Sequence, residues 1–165
     1  MLTLSYILEP IQAEFDPAIA RIIRQTGVEF GAVGEGFGPA DTEVSAMSRH
    51  YNPGHKSLYL VARVDGQVVG GCGIAPFNGS ATTCELRKLF LLPQSRGQGI
   101  GKALTLACLA FARTQEFEHC YLDTLKGMST AIGLYRALGF TLLERPLEGT
   151  PHGGCDVWML KALSP

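Results

Sequence analysis

Between Leu89 and Leu104 the chain reads LFLLPQSRGQGIGKAL, with glycines at 97, 99 and 101 between Arg96 and Lys102. An apolar run, a proline and then alternating glycines describe a strand entering a turn that opens a helix. Backbone N–H groups at a helix start attract anions, and glycines let a phosphate approach the main chain closely. The residues point to binding of a phosphate-bearing ligand; the plainer alternative is an ordinary glycine-rich turn. Two better-known phosphate loops fail here. A G-x-x-x-x-G-K-[ST] loop ending at Gly101-Lys102 would need glycine where Arg96 stands and Ser or Thr where Ala103 stands. A dinucleotide loop needs G-x-G-x-x-G after an early strand, whereas the spacing here is G-x-G-x-G.

Other residues have the chemistry of proton transfer. Glu85 lies in CELRKLF, an otherwise mostly apolar strand. A carboxylate there is out of place unless it is paired, with Arg87 for instance, or functional. Period-two alternation puts Glu85, Arg87, Leu89 and Leu91 on one face. Asp123 ends a strand at YLDT; it either serves a site or caps the turn. His152 and Asp156, in PHGGCDVW, precede the last strand and either bind a substrate or sit in a solvated turn. His50 and His55 read as loop residues, and no metal-ligand spacing is present.

The elements that position these residues follow from the apolar pattern. Thr3 to Leu8 alternates as a strand. Asp16-Pro17 opens a helix, with Asp16 as N-cap, Pro17 at the first position and Gly27 as its end. Gly31 to Pro39 holds four glycines and a proline and is either a linker or a flap over a site. Asp41 caps a second helix, 42–50. Strands follow at 57–64, 67–76 and 82–92, joined by Asp65-Gly66 and Asn78-Gly79 turns. Gly70, Gly71 and Gly73 within the second of these strands imply a bulge or a close backbone approach. A helix at 99–114, a strand at 119–124, a helix from Ser129 or Thr130 to Leu138, and strands at 140–143 and 155–163 complete an α/β or α+β order in one domain, 1–165.

Composition bounds the function. The chain has 165 residues, 46% hydrophobic and 18% charged, which excludes a disordered tail. A formal net charge of −1 without a basic stripe argues against nucleic acid as the main partner. No apolar run approaches the length of a membrane span, and the N-terminus reads as a strand rather than a signal peptide. Five cysteines, an odd number with no C-x-x-C pair, fit reduced thiols in the cytoplasm.

Arg96 to Gly101 forms R-x-x-G-x-G, and Ala131 to Phe140 reads AIGLYRALGF. The first resembles the acyl-CoA pyrophosphate loop of the GNAT superfamily of N-acetyltransferases. The second is similar to that family's A-x-x-L-Y-x-x-x-G-F helix-to-strand signature. The two stand in the family's order, and the resemblance runs from about Leu58 to Leu160.

The resemblance implies a mixed sheet of six or seven strands, splayed between the fourth and fifth and flanked by about four helices. Acetyl-CoA would be the co-substrate and would lie in the splay. Leu89, Phe90 and Leu91 would pair with its pantetheine arm. Amides from Arg96 through Gly97, Gln98, Gly99, Ile100 and Gly101, with Lys102 nearby, would hold the pyrophosphate. Direct transfer of an acetyl group to a primary amine needs an acid for the departing thiolate and a base for the amine. Tyr135 is the candidate acid and Glu85 the candidate base, acting directly or through water. Asp123, His152 and Asp156 are the candidate acceptor-binding residues. Met128 stands where many relatives carry an asparagine that contacts CoA. A small-molecule amine or amino-acid-like acceptor is expected; a peptide acceptor or a non-catalytic acyl-CoA sensor is the alternative. A homodimer would cover the edge strands.

Overall fold

The computed structural model describes residues 5–163. One mixed seven-stranded sheet runs β1 (Ile7–Pro10), β2 (Leu58–Val64), β3 (Gln67–Pro76), β4 (Thr83–Leu91), β5 (His119–Thr124), β7 (Val157–Ala162), β6 (Thr141–Leu143) in spatial order. Every neighbouring pair is antiparallel except β4 and β5. Three α-helices flank it, α1 (Asp16–Glu29), α2 (Ile100–Thr114) and α3 (Ser129–Ala137), and the longest 3-10 segment among the described residues, Thr42–Arg49, packs with α1.

The alternation of β2 shows how the sheet divides two cores. Leu60 and Ala62 pack with Ile100, Leu104 and Cys108 of α2. Tyr59 and Val61 pack with Ile19 and Ile23 of α1 and with Val44 and Met47 of the 3-10 segment. A strand buried on both faces must be apolar at every position, and LYLVA meets that demand.

Two irregularities shape the centre. β4 pairs with β5 only through Thr83, Cys84 and Glu85, and beyond Glu85↔Tyr121 the strands part. This is the expected splay. On its other side β4 carries a bulge: Gly71 pairs with Phe90 but Gly73 with Arg87, so β4 has one extra residue there. Lys88, in that stretch, has φ +52°, a left-handed conformation that costs a non-glycine residue about 1–2 kcal/mol. The bulge corrects the simple alternation. Cys84 and Leu86 before it share the α2 face with Leu89 and Leu91 after it. Glu85 and Arg87 therefore face away from Leu89 and Leu91.

The glycines of β3 support this distortion. A Cβ on Gly71 would lie 2.5 Å from the Tyr59 ring, and one on Gly73 would lie 2.6 Å from it. The two glycines make room for Tyr59, whose hydroxyl donates to the Lys88 carbonyl at 2.8 Å. The close approach read from the sequence thus props the bulge from below.

Several boundaries differ from expectation. The first strand is Ile7–Pro10, and Thr3 and Leu4 lie outside the described residues. Helix α1 has Phe15 in the cap position. The Asp16 carboxylate instead accepts from the Ser48 amide at 2.8 Å and hydroxyl at 2.5 Å, tying α1 to the 3-10 segment. Gly27 does not end α1; it packs against Pro39, where a Cβ would sit 2.8 Å away. The segment after Asp41 is not a regular helix: it breaks at Ala46 (φ −151°, ψ 56°), and the Asp41 side chain makes no cap bond. Met128 holds the cap position of α3, again without a side-chain cap bond. Asn78-Gly79 forms a short 3-10 turn rather than a two-residue hairpin.

Candidate functional site

The mouth of the splay opens into a cleft of about 590 Å³ lined by Leu89, Phe90 and Leu91 of β4, Gly97, Gly99, Gly101 and Lys102 of the loop, and Met128 to Ala131 at the start of α3. Gly97 (φ +73°) and Gly99 (φ +84°) adopt left-handed backbone, and a Cβ built on either meets no atom within 4 Å. Glycine at both places serves the conformation and leaves the cleft wall bare. The cradle therefore fits an anion on backbone groups. Ile100 is completely buried in the α2 core, so its main chain alone can serve the cleft. The Gln98 side chain turns back to the Gln94 carbonyl at 3.1 Å. Arg96 is already engaged: it bonds both Glu29 oxygens at 2.6 and 2.8 Å and the Leu91 carbonyl at 3.0 Å, and stacks over Phe30. Lys102 is the loop's cation lining the cleft without an ion pair among the described residues.

A second cleft of about 540 Å³ lies on the other side, between the glycine-rich segment 31–39 and the loop before β7. These two segments meet: the Gly154 amide donates to the Gly36 carbonyl at 2.9 Å, and the Phe37 ring lies against Gly154. A narrow space of about 70 Å³ shares Leu89, Phe90 and Met128 with the first cleft and Phe37, Glu85, Arg87 and His152 with the second, and is lined also by Lys88, Leu122, Tyr135 and Cys155.

His152 is central there. It is 6% exposed, Nδ1 lies 2.9 Å from Asp123 and Nε2 lies 2.9 Å from Asp41. Glu85 stands 3.6 Å from Nδ1. Burial alone would lower the imidazole pKa, but hydrogen bonds to Asp123 and Asp41, with the Glu85 carboxylate beside them, outweigh it and hold the group up to about 11. His152 is thus an imidazolium at neutral pH and donates from both nitrogens. Burial also works against the Asp41 carboxylate, yet the His152 hydrogen bond and the Lys88 charge keep its pKa below the ordinary value. Lys88 reaches Asp41 at 2.8 Å and Glu43 at 3.5 Å. Arg87 reaches Glu85 at 2.7 Å and Glu43 at 3.9 Å.

Four of the five catalytic and acceptor residues named from sequence meet here, with altered partners. Glu85 is 1% exposed and paired with Arg87, and it lines both the narrow space and the second cleft. Tyr135 is 6% exposed, stacks edge-on against Phe140, and borders the narrow space. Burial raises its phenol pKa well above the ordinary value, so it keeps its proton. Asp123 neither caps a turn nor stands open to an acceptor: its oxygens hold His152, Thr150 and Tyr121. Asp156 lies apart. It accepts from the Lys126 amide at 2.9 Å, bridging the loop after β5, and lines none of the three spaces. Cys155 is near, but burial and the adjacent Asp123 charge push its thiol up to about 12, far from a ready nucleophile. Single ligand atoms of Glu85, Asp123 and His152 fall within 4.8 Å of one another, a spacing compatible with a metal ion. The imidazolium already supplies the positive charge among these carboxylates.

Asp41, Glu43 and Lys88 were not marked as site residues by the sequence. Asp41 reads as a helix cap. The signal for Lys88 is present only indirectly, as two adjacent charges in ELRK that break the strand's alternation.

The Acetyltransferase (GNAT) family model matches residues 31–140, spanning the glycine-rich segment, the splay, the pyrophosphate-type loop and α3. The chain belongs to the GNAT family of acetyltransferases. It is 40% identical over 162 residues to the uncharacterized N-acetyltransferase YjgM of Escherichia coli (strain K12), covering 96% of both chains. It is 36% identical over 102 residues to human N-acetyltransferase 8B, covering 60% of this chain and 45% of that one. Among solved structures, a GNAT-family acetyltransferase from Staphylococcus aureus Mu50 superposes with a TM-score of 0.83 at 15% identity, covering 97% of this chain and all of that one. The yncA protein of Salmonella typhimurium, solved with its cofactor acetyl-CoA, gives 0.77 at 20% identity, covering 96% and 94%. At these identities the two structures carry the fold. The chain is an N-acetyltransferase of the GNAT type. Among the described residues, no helix is long and apolar enough to cross a membrane.

Proposed function

We propose that the protein transfers an acetyl group from acetyl-CoA directly to a primary amine of a small molecule. The observation that carries this reading is the meeting of two clefts, one glycine-cradled and one carboxylate-lined, at a narrow space that Tyr135, Glu85 and His152 border. The cradle residues fit a pyrophosphate, and the bare walls at Gly97 and Gly99 leave it room. Leu89, Phe90 and Leu91 lie beyond the last β4–β5 pair, on the strand edge that a pantetheine arm would complete as an added strand.

Bound acetyl-CoA would supply the activated carbonyl. Of the chain's own groups, the β4 edge at the splay offers main-chain donors for the oxyanion. Tyr135 keeps its proton until a thiolate forms beside it. Glu85 accepts the ammonium proton through water, since Arg87 occupies one of its oxygens. Asp123 and Asp41 position His152, which closes the acceptor side. The raised Cys155 thiol supports direct transfer rather than an acyl-enzyme. Five free cysteines, four of them buried, support a cytoplasmic setting.

The test is thiol release from acetyl-CoA with a panel of amines, with CoA binding measured separately. Amine-dependent release with matching acetylated product is expected. Tight CoA binding without amine-dependent release would favour a sensor, and absence of CoA binding would remove the reading.

A further inference from the structure

The charged groups around the acceptor cleft form a closed alternating ring. His152 faces Glu85 at 3.6 Å, Glu85 faces Arg87 at 2.7 Å, and Arg87 faces Glu43 at 3.9 Å. Glu43 then faces Lys88 at 3.5 Å, Lys88 faces Asp41 at 2.8 Å, and Asp41 returns to His152 at 2.9 Å. Three cations and three carboxylates balance within the ring. Asp123, bonded to His152 from outside it, leaves one negative charge in surplus.

Each cation therefore has at least two carboxylate partners, and none is left to receive an anion. The second cleft shows the same bias. Its walls carry Glu35, Asp41, Glu43 and Glu85 against Arg87 and His152. Glu35, in the glycine-rich segment at the cleft's edge, is exposed and makes no ion pair among the described residues. Glu43 keeps partial exposure, 18% of its side chain. Along this wall the acidic side chains grow more buried, from exposed Glu35 through Asp41 (27%) and Glu43 (18%) to Glu85 (2%), which also lines the narrow space.

We infer that the acceptor is an amine carrying a second positive charge and no carboxylate, a diamine or larger polycation rather than an amino acid. The reacting ammonium goes to the Glu85 end, and the second charge is held near Glu35. A carboxylate on the acceptor would face four acidic side chains with every nearby cation committed. Such like-charge placement is a strong means of rejection. The inference rests on the second cleft being the acceptor site.

Three probes of matched length separate the possibilities: 1,5-diaminopentane, pentylamine and 5-aminopentanoate. Thiol release gives kcat/KM for each, and calorimetry on the CoA-loaded protein gives binding whether or not turnover occurs. The diamine should exceed the monoamine by about fivefold, the effect of one partly exposed charge pair. The aminocarboxylate should fall more than tenfold below the monoamine. Glu35→Gln should reduce the diamine's advantage while retaining the order of monoamine over aminocarboxylate. Binding in the predicted order with no turnover would retain the inference and overturn the proposed reaction. Equal or better use of the aminocarboxylate, or equal binding of all three, would overturn the inference even with catalysis intact.

Discussion

Replacing His152 with glutamine removes the charge that joins β5, β4 and the segment at Asp41. The imidazolium is held up to about 11 against an ordinary 6.5. Between those values the folded chain keeps a proton that the unfolded chain releases. The stabilisation is complete below pH 6.5 and is lost as pH rises toward 11. One differentially bound proton corresponds to about 1.4 kcal/mol per pH unit, hence at most about 2.8 kcal/mol from pH 7.5 to 9.5. The Asp41 partner is 27% exposed, and screening there reduces the expected loss to about 1–2 kcal/mol. For a chain of this size that lowers Tm by about 2–8 °C. Thermal unfolding of both proteins at the two pH values isolates the effect, because glutamine does not titrate. The wild type should lose that much more than His152→Gln over the interval. Parallel losses would refute the charged state of His152 and the ring built on it.

Gly71→Ala places a Cβ 2.5 Å from Tyr59 and 2.7 Å from the Leu60 carbonyl, and should destabilise by about 3 kcal/mol in urea unfolding; an unchanged midpoint would show that Tyr59 can move. Tyr135→Phe should lower kcat about 100-fold with CoA affinity little altered, as expected for loss of a general acid; a kcat within threefold of wild type would remove that role. Gly99→Ala, forced into left-handed backbone with its methyl toward the cleft, should cost about 1–2 kcal/mol of stability. It should also weaken CoA binding by about tenfold or more, measured by calorimetry, through loss of charge-assisted contacts.

The cofactor-side cleft was more legible in the sequence than the acceptor side, for a physical reason. Gly97, Gly99 and Gly101 act through the main chain of one contiguous segment, so their spacing carries their geometry. The β3 glycines were legible as a close approach because a strand interior rarely tolerates three of them. The ring around His152 is different: Asp41, Glu43, Glu85, Arg87, Lys88 and His152 come from three separated stretches. Asp41 resembles a cap in sequence, but the pull of Lys88 and His152 takes its side chain into the site. Asp123 and Asp156 look alike as acids at strand ends. Only the tertiary contacts separate them, one holding His152 and the other the Lys126 amide. The bulge at Lys88 reverses which side chains share a face after Arg87, an inversion that period-two reasoning cannot register.

Direct transfer at the splay requires both substrates to be bound at once, one in each cleft. Initial velocities measured over a grid of acetyl-CoA and amine concentrations read this requirement. Intersecting double-reciprocal lines are expected, the pattern of a complex holding both substrates. Parallel lines, the signature of an acetyl-enzyme intermediate, would contradict it.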